Sequence, residues 1–140
     1  EDAAPLTDVS ALAGCPSLHT LILHSCVLVT SVSALGDLVT LHTLDLACCV
    51  KVADVSALAG CAALHTLKLT GCRGVMDVSA LAGSATLHTL DLAFCKGVTD
   101  VSALIICPAL RTLDLSNSGV IALPLEQRLA ASQRGLHVKW

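Results

Sequence analysis

The chain has 140 residues, which is enough for one domain with a sizeable core. Apolar residues make up 54% of it and charged residues 14%, a balance that excludes intrinsic disorder. A formal net charge of −3 and the near absence of aromatic residues argue against a nucleic-acid partner, because such binding needs a basic surface and rings for base stacking.

One tetrapeptide, Val-Ser-Ala-Leu, recurs along the chain at a constant spacing. It begins at Val9, Val32, Val55, Val78 and Val101. A fixed period of this length is typical of a solenoid, whose stacked coils bury continuous apolar columns. Such columns account for the mean hydropathy of +0.79 without a membrane-spanning helix, and polar residues interrupt every apolar run. We therefore predict one domain over 1–140, with repeats at about 9–31, 32–54, 55–77, 78–100 and 101–123 and a C-terminal cap over 124–140.

Each repeat contains two short predicted elements. An aspartate before the first Val, present at Asp8, Asp54, Asp77 and Asp100 and replaced by Ser31, is placed to cap a short helical or 3-10 turn. The segment Thr-Leu-x-Leu alternates at the period of a strand, with Leu inward and Thr or a variable residue outward. A unit such as 32–54 is too short for a strand, a long helix and a return, so each unit is one coil.

The end of the chain departs from the repeat. Pro124 in a first turn, an early Glu126, and Leu125 and Leu129 on one face predict a helix. The following Gly-Leu-His-Val-Lys predicts a sixth strand, and Trp140 ends this more helical capping coil.

If the repeat length is maintained, it also predicts the columns in which the residues of the sixth strand lie. One further period places Leu136 in the Leu113 column and Val138 in the Leu115 column. In the outward columns Asp45, Lys68 and Asp91 can offset one another as surface pairs, which leaves Asp114 without a counter-ion.

The start of the chain contains little that could cover the first coil. Only the short segment 1–7 precedes the first ordinary repeat, and it cannot bury the edge left by Leu12, Leu18, Leu21 and Leu23. An uncovered strand also presents unpaired backbone groups. We therefore expect the N-terminal edge to continue into further chain or to pack on another subunit or domain.

The spacing Leu-x-x-Leu-x-Leu-x-x-Cys resembles the leucine-rich repeat. It matches at 18–26, 41–49, 64–72 and 87–95, and at 110–118 with Ser in the last place. The Asp-Val-Ser-Ala-Leu segment resembles the convex turn of internalin-like repeats, and the Cys with an extra residue before Val resembles the leucine-rich proteins of kinetoplastid parasites. The resemblance implies an α/β solenoid, a horseshoe segment with a parallel concave sheet of about six strands, short helical or 3-10 convex turns and a helical C-terminal cap. The near-identity of the units would also suit a consensus-type repeat scaffold.

Four of the eight cysteines share one column just past the strand: Cys26, Cys49, Cys72 and Cys95. Cysteines in one column of adjacent parallel strands would lie about 4.8 Å apart with parallel side chains, a poor match to disulfide geometry. No Cys-x-x-Cys pair is present to hold a metal, although metal or redox chemistry is the functional alternative. We predict reduced, unligated and mostly buried thiols acting as weak donors, which favours a reducing, intracellular compartment.

His19, His42, His65 and His88 form a second column, which Arg111 continues. Neighbouring imidazoles about 4.8 Å apart could share a metal, but a residue copied by duplication is the simpler interpretation. Stacked imidazolium charges would repel, so we expect mild pH sensitivity below about pH 6.5. No metal and no cofactor is predicted.

Variation is concentrated at the outward strand positions, as expected of a solenoid recognition surface. The predicted partner-binding residues are Ile22, His24, Asp45, Lys68, Thr70, Asp91, Phe94 and Asp114. No nucleophile with a base and no phosphate-binding loop is recognisable, so no enzyme is predicted. The sequence predicts a non-catalytic module that binds a protein or peptide on its concave strand face. The alternative is a structural or assembly element within a larger chain or complex.

Overall fold

The parallel sheet of the computed structural model, which describes residues 4–140, contains six strands in chain order. They are β1 (Thr20–Ile22), β2 (Thr43–Asp45), β3 (Thr66–Lys68), β4 (Thr89–Asp91), β5 (Thr112–Asp114) and β6 (His137–Lys139). Among the first five strands, each residue pairs with its equivalent in the next repeat, as Thr20 does with Thr43. The predicted solenoid sheet is confirmed, and residues 1–3 of the predicted domain lie outside the described residues.

The opposite side of the solenoid is built from short turns. Four are 3-10 helices, Ser10–Gly14, Ser33–Asp37, Ser56–Gly60 and Ser79–Gly83, and the fifth is α1 (Ser102–Ile105). The aspartate before each Val accepts a hydrogen bond from the first backbone N–H of the turn, over 2.8 Å between Ser79 N and Asp77 Oδ1. Ser31 Oγ takes this place in the second repeat at 3.3 Å from Ser33 N. The predicted capping role of these positions is therefore confirmed.

The core lies between the sheet and the turns. The inward strand leucines Leu44, Leu67, Leu90 and Leu113 are fully buried, because a coil packs on each side of each of them. Leu21, their equivalent in the first coil, is only partly buried. Among the described residues, no further coil packs on the outer edge of β1, so this edge of the core is partly exposed.

The sixth strand does not keep the expected phase. Leu113 pairs with Val138 rather than with Leu136, and Asp114 pairs with Lys139. The last step along the chain is therefore two positions longer than the repeat, and the predicted phase was wrong by that amount. The reason is that an α-helix of 9 residues, α2 (Leu125–Gln133), replaces the 3-10 turn of 5 residues found in earlier coils.

Helix α2 is the predicted C-terminal helix, and it continues the row of convex turns. It packs beside α1 and β6. Its buried residue is Ala131, whereas Leu125 and Leu129, which were expected on one face of the helix, are 70% and 54% exposed. The Arg134 guanidinium just after the helix donates hydrogen bonds to the carbonyls of Ile105 and Cys107, joining the last two coils. Over residues 4–140, no helix has the length and apolarity needed to cross a bilayer.

Candidate interaction surface

The outward side chains of the strands form one continuous row on the sheet. The register places Ile22, Asp45, Lys68, Asp91, Asp114 and Lys139 side by side. Because parallel strands lie about 4.8 Å apart, this row is about 24 Å long. We call it the concave row; it contains five of the eight predicted binding residues.

Two ion pairs neutralise part of the concave row. Lys68 Nζ lies 3.8 Å from Asp45 Oδ2, and Lys139 Nζ lies 2.7 Å from Asp114 Oδ2. Burial raises the pKa of Asp114, but bonds from Lys139 and Ser116 outweigh it and hold that pKa below its ordinary value. Asp114 therefore has a counter-ion, contrary to expectation, because the altered β6 register brings Lys139 beside it. Within the described part of the chain, Asp91 is the carboxylate of the row that has no ion pair.

The three aspartates of the row are also tied to the backbone. Their Oδ1 atoms accept hydrogen bonds from the N–H two residues later, at 2.9, 2.8 and 2.9 Å from Ala47, Ala93 and Ser116. These bonds fix where the carboxylates point. Because the donor is a backbone N–H, which every residue except proline has, the sequence carries no signal for these bonds beyond the aspartates themselves.

The residues that follow the strands, at positions 25, 48, 71, 94 and 117, form a column with left-handed backbone conformations. Its φ values are 60° at Ser25, 62° at Cys48, 71° at Gly71, 60° at Phe94 and 55° at Asn117. The N–H of Phe94 still donates to the next coil, 2.8 Å from the Ser116 carbonyl, so the coil geometry imposes this conformation. A bulky residue here costs about 1–3 kcal/mol. Phe94 is the bulkiest residue of the five, and its side chain is 52% exposed.

The two remaining predicted binding residues, His24 and Thr70, belong to a column between the concave row and the left-handed residues. Thr70 is half-buried in the third coil, and His24 is exposed in the first. The equivalent positions Ala47 and Ala93 are 6% exposed, so this column contributes accessible side chains at some coils and not at others.

The histidine column is a stack of rings. The ring centroids of His42 and His65 lie 4.4 Å apart and those of His65 and His88 4.1 Å apart, with the planes 9° and 8° from parallel. Lone pairs in parallel ring planes point side by side and do not converge on one metal ion. Across residues 4–140, no group of three or more His, Cys, Asp or Glu side chains is arranged to hold one.

Three of the four members of the cysteine column are buried donors, as predicted, whereas Cys26 in the first coil is only partly buried. The thiols of Cys49, Cys72 and Cys95 each donate to a leucine carbonyl of the preceding coil, at 3.1, 3.0 and 3.0 Å. Burial raises the pKa of Cys72 to about 12 and that of Cys95 to about 11. Such thiols are poor nucleophiles. Outside this column, Cys15 is exposed and Cys48 is partly buried.

Comparisons with known proteins agree with this architecture. The family model described as Leucine Rich repeat matches residues 83–107. A search of curated proteins finds no match. Among solved structures, the chain is similar to an internalin, InlF, of Listeria monocytogenes, with a TM-score of 0.78 and 25% identity over 96% of this chain and 38% of that one. It is also similar to internalin C2 of the same organism, with a TM-score of 0.58 and 24% identity over 84% of this chain and 60% of that one.

The chain therefore spans less than two thirds of the length of either internalin structure. Its fold is that of a leucine-rich repeat solenoid, with parallel strands on one side and short helical turns on the other.

Proposed function

We propose that this leucine-rich repeat protein is a non-catalytic interaction module that binds a protein or peptide on its concave face. The contacts would come from Ile22, His24, Asp45, Lys68, Thr70, Asp91, Phe94 and Asp114. The observation that carries the proposal is Phe94, an exposed aromatic ring maintained in a strained left-handed conformation beside the sheet. Exposed aromatic residues on such a surface are typical binding anchors.

The chemistry around Phe94 indicates what kind of partner would fit. Asp91 lies three positions before it in the same coil, with a carboxylate fixed by the Ala93 N–H and no ion pair among the described residues. A basic side chain next to an apolar one would match this pair. The second exposed apolar anchor, Ile22 at 67% exposure, lies three strands away, about 14 Å. The row is long enough for one side of a small protein interface.

The alternative is a structural or assembly element that works through its ends and its convex side. What favours it is the partly exposed apolar edge of the first coil, formed by Leu12, Leu18 and Leu21. Burial of that edge would not require the concave row to bind anything. The kinetoplastid resemblance stays a prediction and does not discriminate between the two functions.

The test begins with crosslinking mass spectrometry on the protein from its native source, to identify the partner. Affinity for that partner is then measured for Asp91→Asn and Phe94→Asn. Asn at position 91 retains an acceptor for the Ala93 N–H, and Asn at position 94 tolerates a left-handed φ, as Asn117 does in the next coil. Both variants should therefore fold, and each should weaken binding about tenfold or more.

Met76→Gln is the matched control, because Met76 is 70% exposed and lies outside the strands, shortly before the 3-10 turn Ser79–Gly83. It should bind like the unmodified chain. Unchanged affinity in the two concave variants, with a loss in Met76→Gln or in variants of the first coil, would instead establish the structural alternative.

A further inference from the structure

The concave row contains one carboxylate that its own lysines do not neutralise. Lys68 Nζ lies 3.8 Å from Asp45 Oδ2, and Lys139 Nζ lies 2.7 Å from Asp114 Oδ2. Over residues 4–140, Asp91 takes part in no ion pair. The register also places Asp91 directly beside Asp114. Two neighbouring carboxylates therefore share one ion pair, which leaves an uncompensated negative charge at Asp91.

The Asp91 carboxylate is oriented but can still accept hydrogen bonds. Its Oδ1 accepts the backbone N–H of Ala93 at 2.8 Å, and Asp91 is partly buried. An ionised carboxylate has about four lone-pair sites, so Oδ2 and part of Oδ1 are left for an external donor. Because the backbone bond already fixes where this group points, a ligand loses less freedom in meeting it.

Phe94 adds an exposed aromatic ring on the same coil. It follows Asp91 by three residues, and its side chain is 52% exposed. Its neighbours in the column of left-handed residues are Gly71 and Asn117. Since glycine has no side chain, the third coil places nothing beside Phe94 in this column. A ligand that reaches the free carboxylate can therefore also reach the ring.

We propose that Asp91 and Phe94 form a subsite for an arginine side chain of the partner. The inference rests on the proposed function, because it specifies what the concave face binds. A guanidinium is planar, so its N–H groups can donate to the carboxylate while its face stacks on the ring. A lysine ammonium is a compact, strongly hydrated charge that cannot stack in this way. The arginine would also supply the cation that the row lacks at Asp91.

The test compares two labelled peptides of equal charge, hexa-arginine and hexa-lysine. Their affinities are measured by fluorescence anisotropy at low ionic strength and about pH 7.5. We expect the unmodified chain to bind hexa-arginine about threefold more tightly than hexa-lysine or better. Phe94→Leu should remove this preference, because leucine is apolar but has no ring. Leucine also has a Cβ, so the variant retains the same strain at the left-handed position.

Asp91→Asn should weaken the binding of both peptides about threefold or more, because the free negative charge is lost. Its matched control is Asp100→Asn, which makes the same change in net charge on a convex turn. In both places the Oδ1 atom accepts the N–H two residues later, at 2.8 Å, and asparagine retains that acceptor. Asp100→Asn should bind both peptides nearly as the unmodified chain does.

A second measurement locates the arginine. Phe94 is the only phenylalanine of the chain, which has no tyrosine, so its ring protons are readily assigned in NMR spectra. Hexa-arginine should shift these signals more than hexa-lysine does. The proposal is overturned if the ring signals do not move, if Phe94→Leu retains the preference for arginine, or if Asp100→Asn weakens binding as much as Asp91→Asn. Failure of the proposed function is measured separately, as unchanged affinity of the natural partner for Asp91→Asn and Phe94→Asn, so the two failures are distinguishable.

Discussion

The thiol of Cys72 donates a hydrogen bond to the carbonyl oxygen of Leu46 on the preceding coil, over an Sγ···O distance of 3.0 Å. The same carbonyl accepts the backbone N–H of Cys49 at 3.0 Å within its own coil. One oxygen therefore closes the turn after β2 and also joins it to the next coil. Repetition of this bond along the cysteine column cross-links successive coils without covalent bonds.

Loss of this thiol should weaken the solenoid measurably. For Cys72→Ala, we expect the free energy of unfolding to fall by about 1–2 kcal/mol, since a buried bond is lost and a small cavity is left. Urea denaturation followed by circular dichroism measures this change. Cys15→Ala, at an exposed position, is the control and should match the unmodified chain. Equal stability of the two variants would contradict a role for the cysteine column in joining the coils.

The buried thiols should resist modification until the chain unfolds. Burial raises the pKa of Cys72 to about 12 and that of Cys95 to about 11, so at pH 8 both remain protonated. Titration with a thiol reagent should label Cys15 rapidly and these two only after denaturant is added. Rapid labelling of all eight cysteines in the native protein would argue against this burial.

Alkaline pH should destabilise the fold through the same groups. A pKa raised in the folded state means that the unfolded chain releases its protons first as pH increases. The contribution of these two protonated thiols to the free energy of unfolding is therefore fully present below about pH 9. It is lost as pH rises through about 11 to 12. The midpoint of urea unfolding, measured between about pH 8 and about pH 10.5, should fall less steeply for Cys72→Ala than for the unmodified chain.

Acid should act on the capping aspartates of the convex turns. The backbone hydrogen bond from Ser79, followed by its side-chain bond, holds the pKa of Asp77 below its ordinary value of 3.8. The ionised Asp77 carboxylate therefore contributes to the free energy of unfolding at pH values above 3.8. This contribution is lost as pH falls through the lower pKa of Asp77 in the folded state.

Substitution at this position separates charge from hydrogen bonding. Asp77→Ala should lower the melting temperature at neutral pH, whereas Asp77→Asn, which retains an acceptor oxygen, should lower it less and should flatten the acid dependence. Thermal melts between about pH 2.5 and about pH 7 provide the measurement. Identical melting temperatures for the Ala and Asn variants at neutral pH would show that the bond to Ser79 does not stabilise the turn.

The strain at Phe94 predicts an unusual order of stability among its variants. Because its φ is 60°, we expect Phe94→Gly to be more stable than Phe94→Ala by about 1 kcal/mol, since only glycine adopts this conformation without cost. At Met76, which is not among the residues with positive φ, the order should reverse. Urea denaturation of the four variants tests this, and an Ala variant at position 94 as stable as the Gly variant would refute the strain.

Local patterns in the sequence were sufficient to predict the architecture of stacked coils. The constant spacing of Val-Ser-Ala-Leu determined the coils. The alternation in Thr-Leu-x-Leu placed Leu44 inward and Asp45 outward, because successive residues of a strand face opposite sides. The cysteine column was identified as a row of buried donors for a related reason: a residue repeated in phase occupies the same environment in each coil.

Only the tertiary structure decided the features that depend on how the coils meet. The length of α2 set the longer step to β6, and that step brought Lys139 beside Asp114. The stacking of His65 on its neighbours and the left-handed backbone of Phe94 likewise follow from how adjacent coils are positioned. Repeat spacing specifies which residues share a column, but distances and orientations between side chains are set by packing in three dimensions.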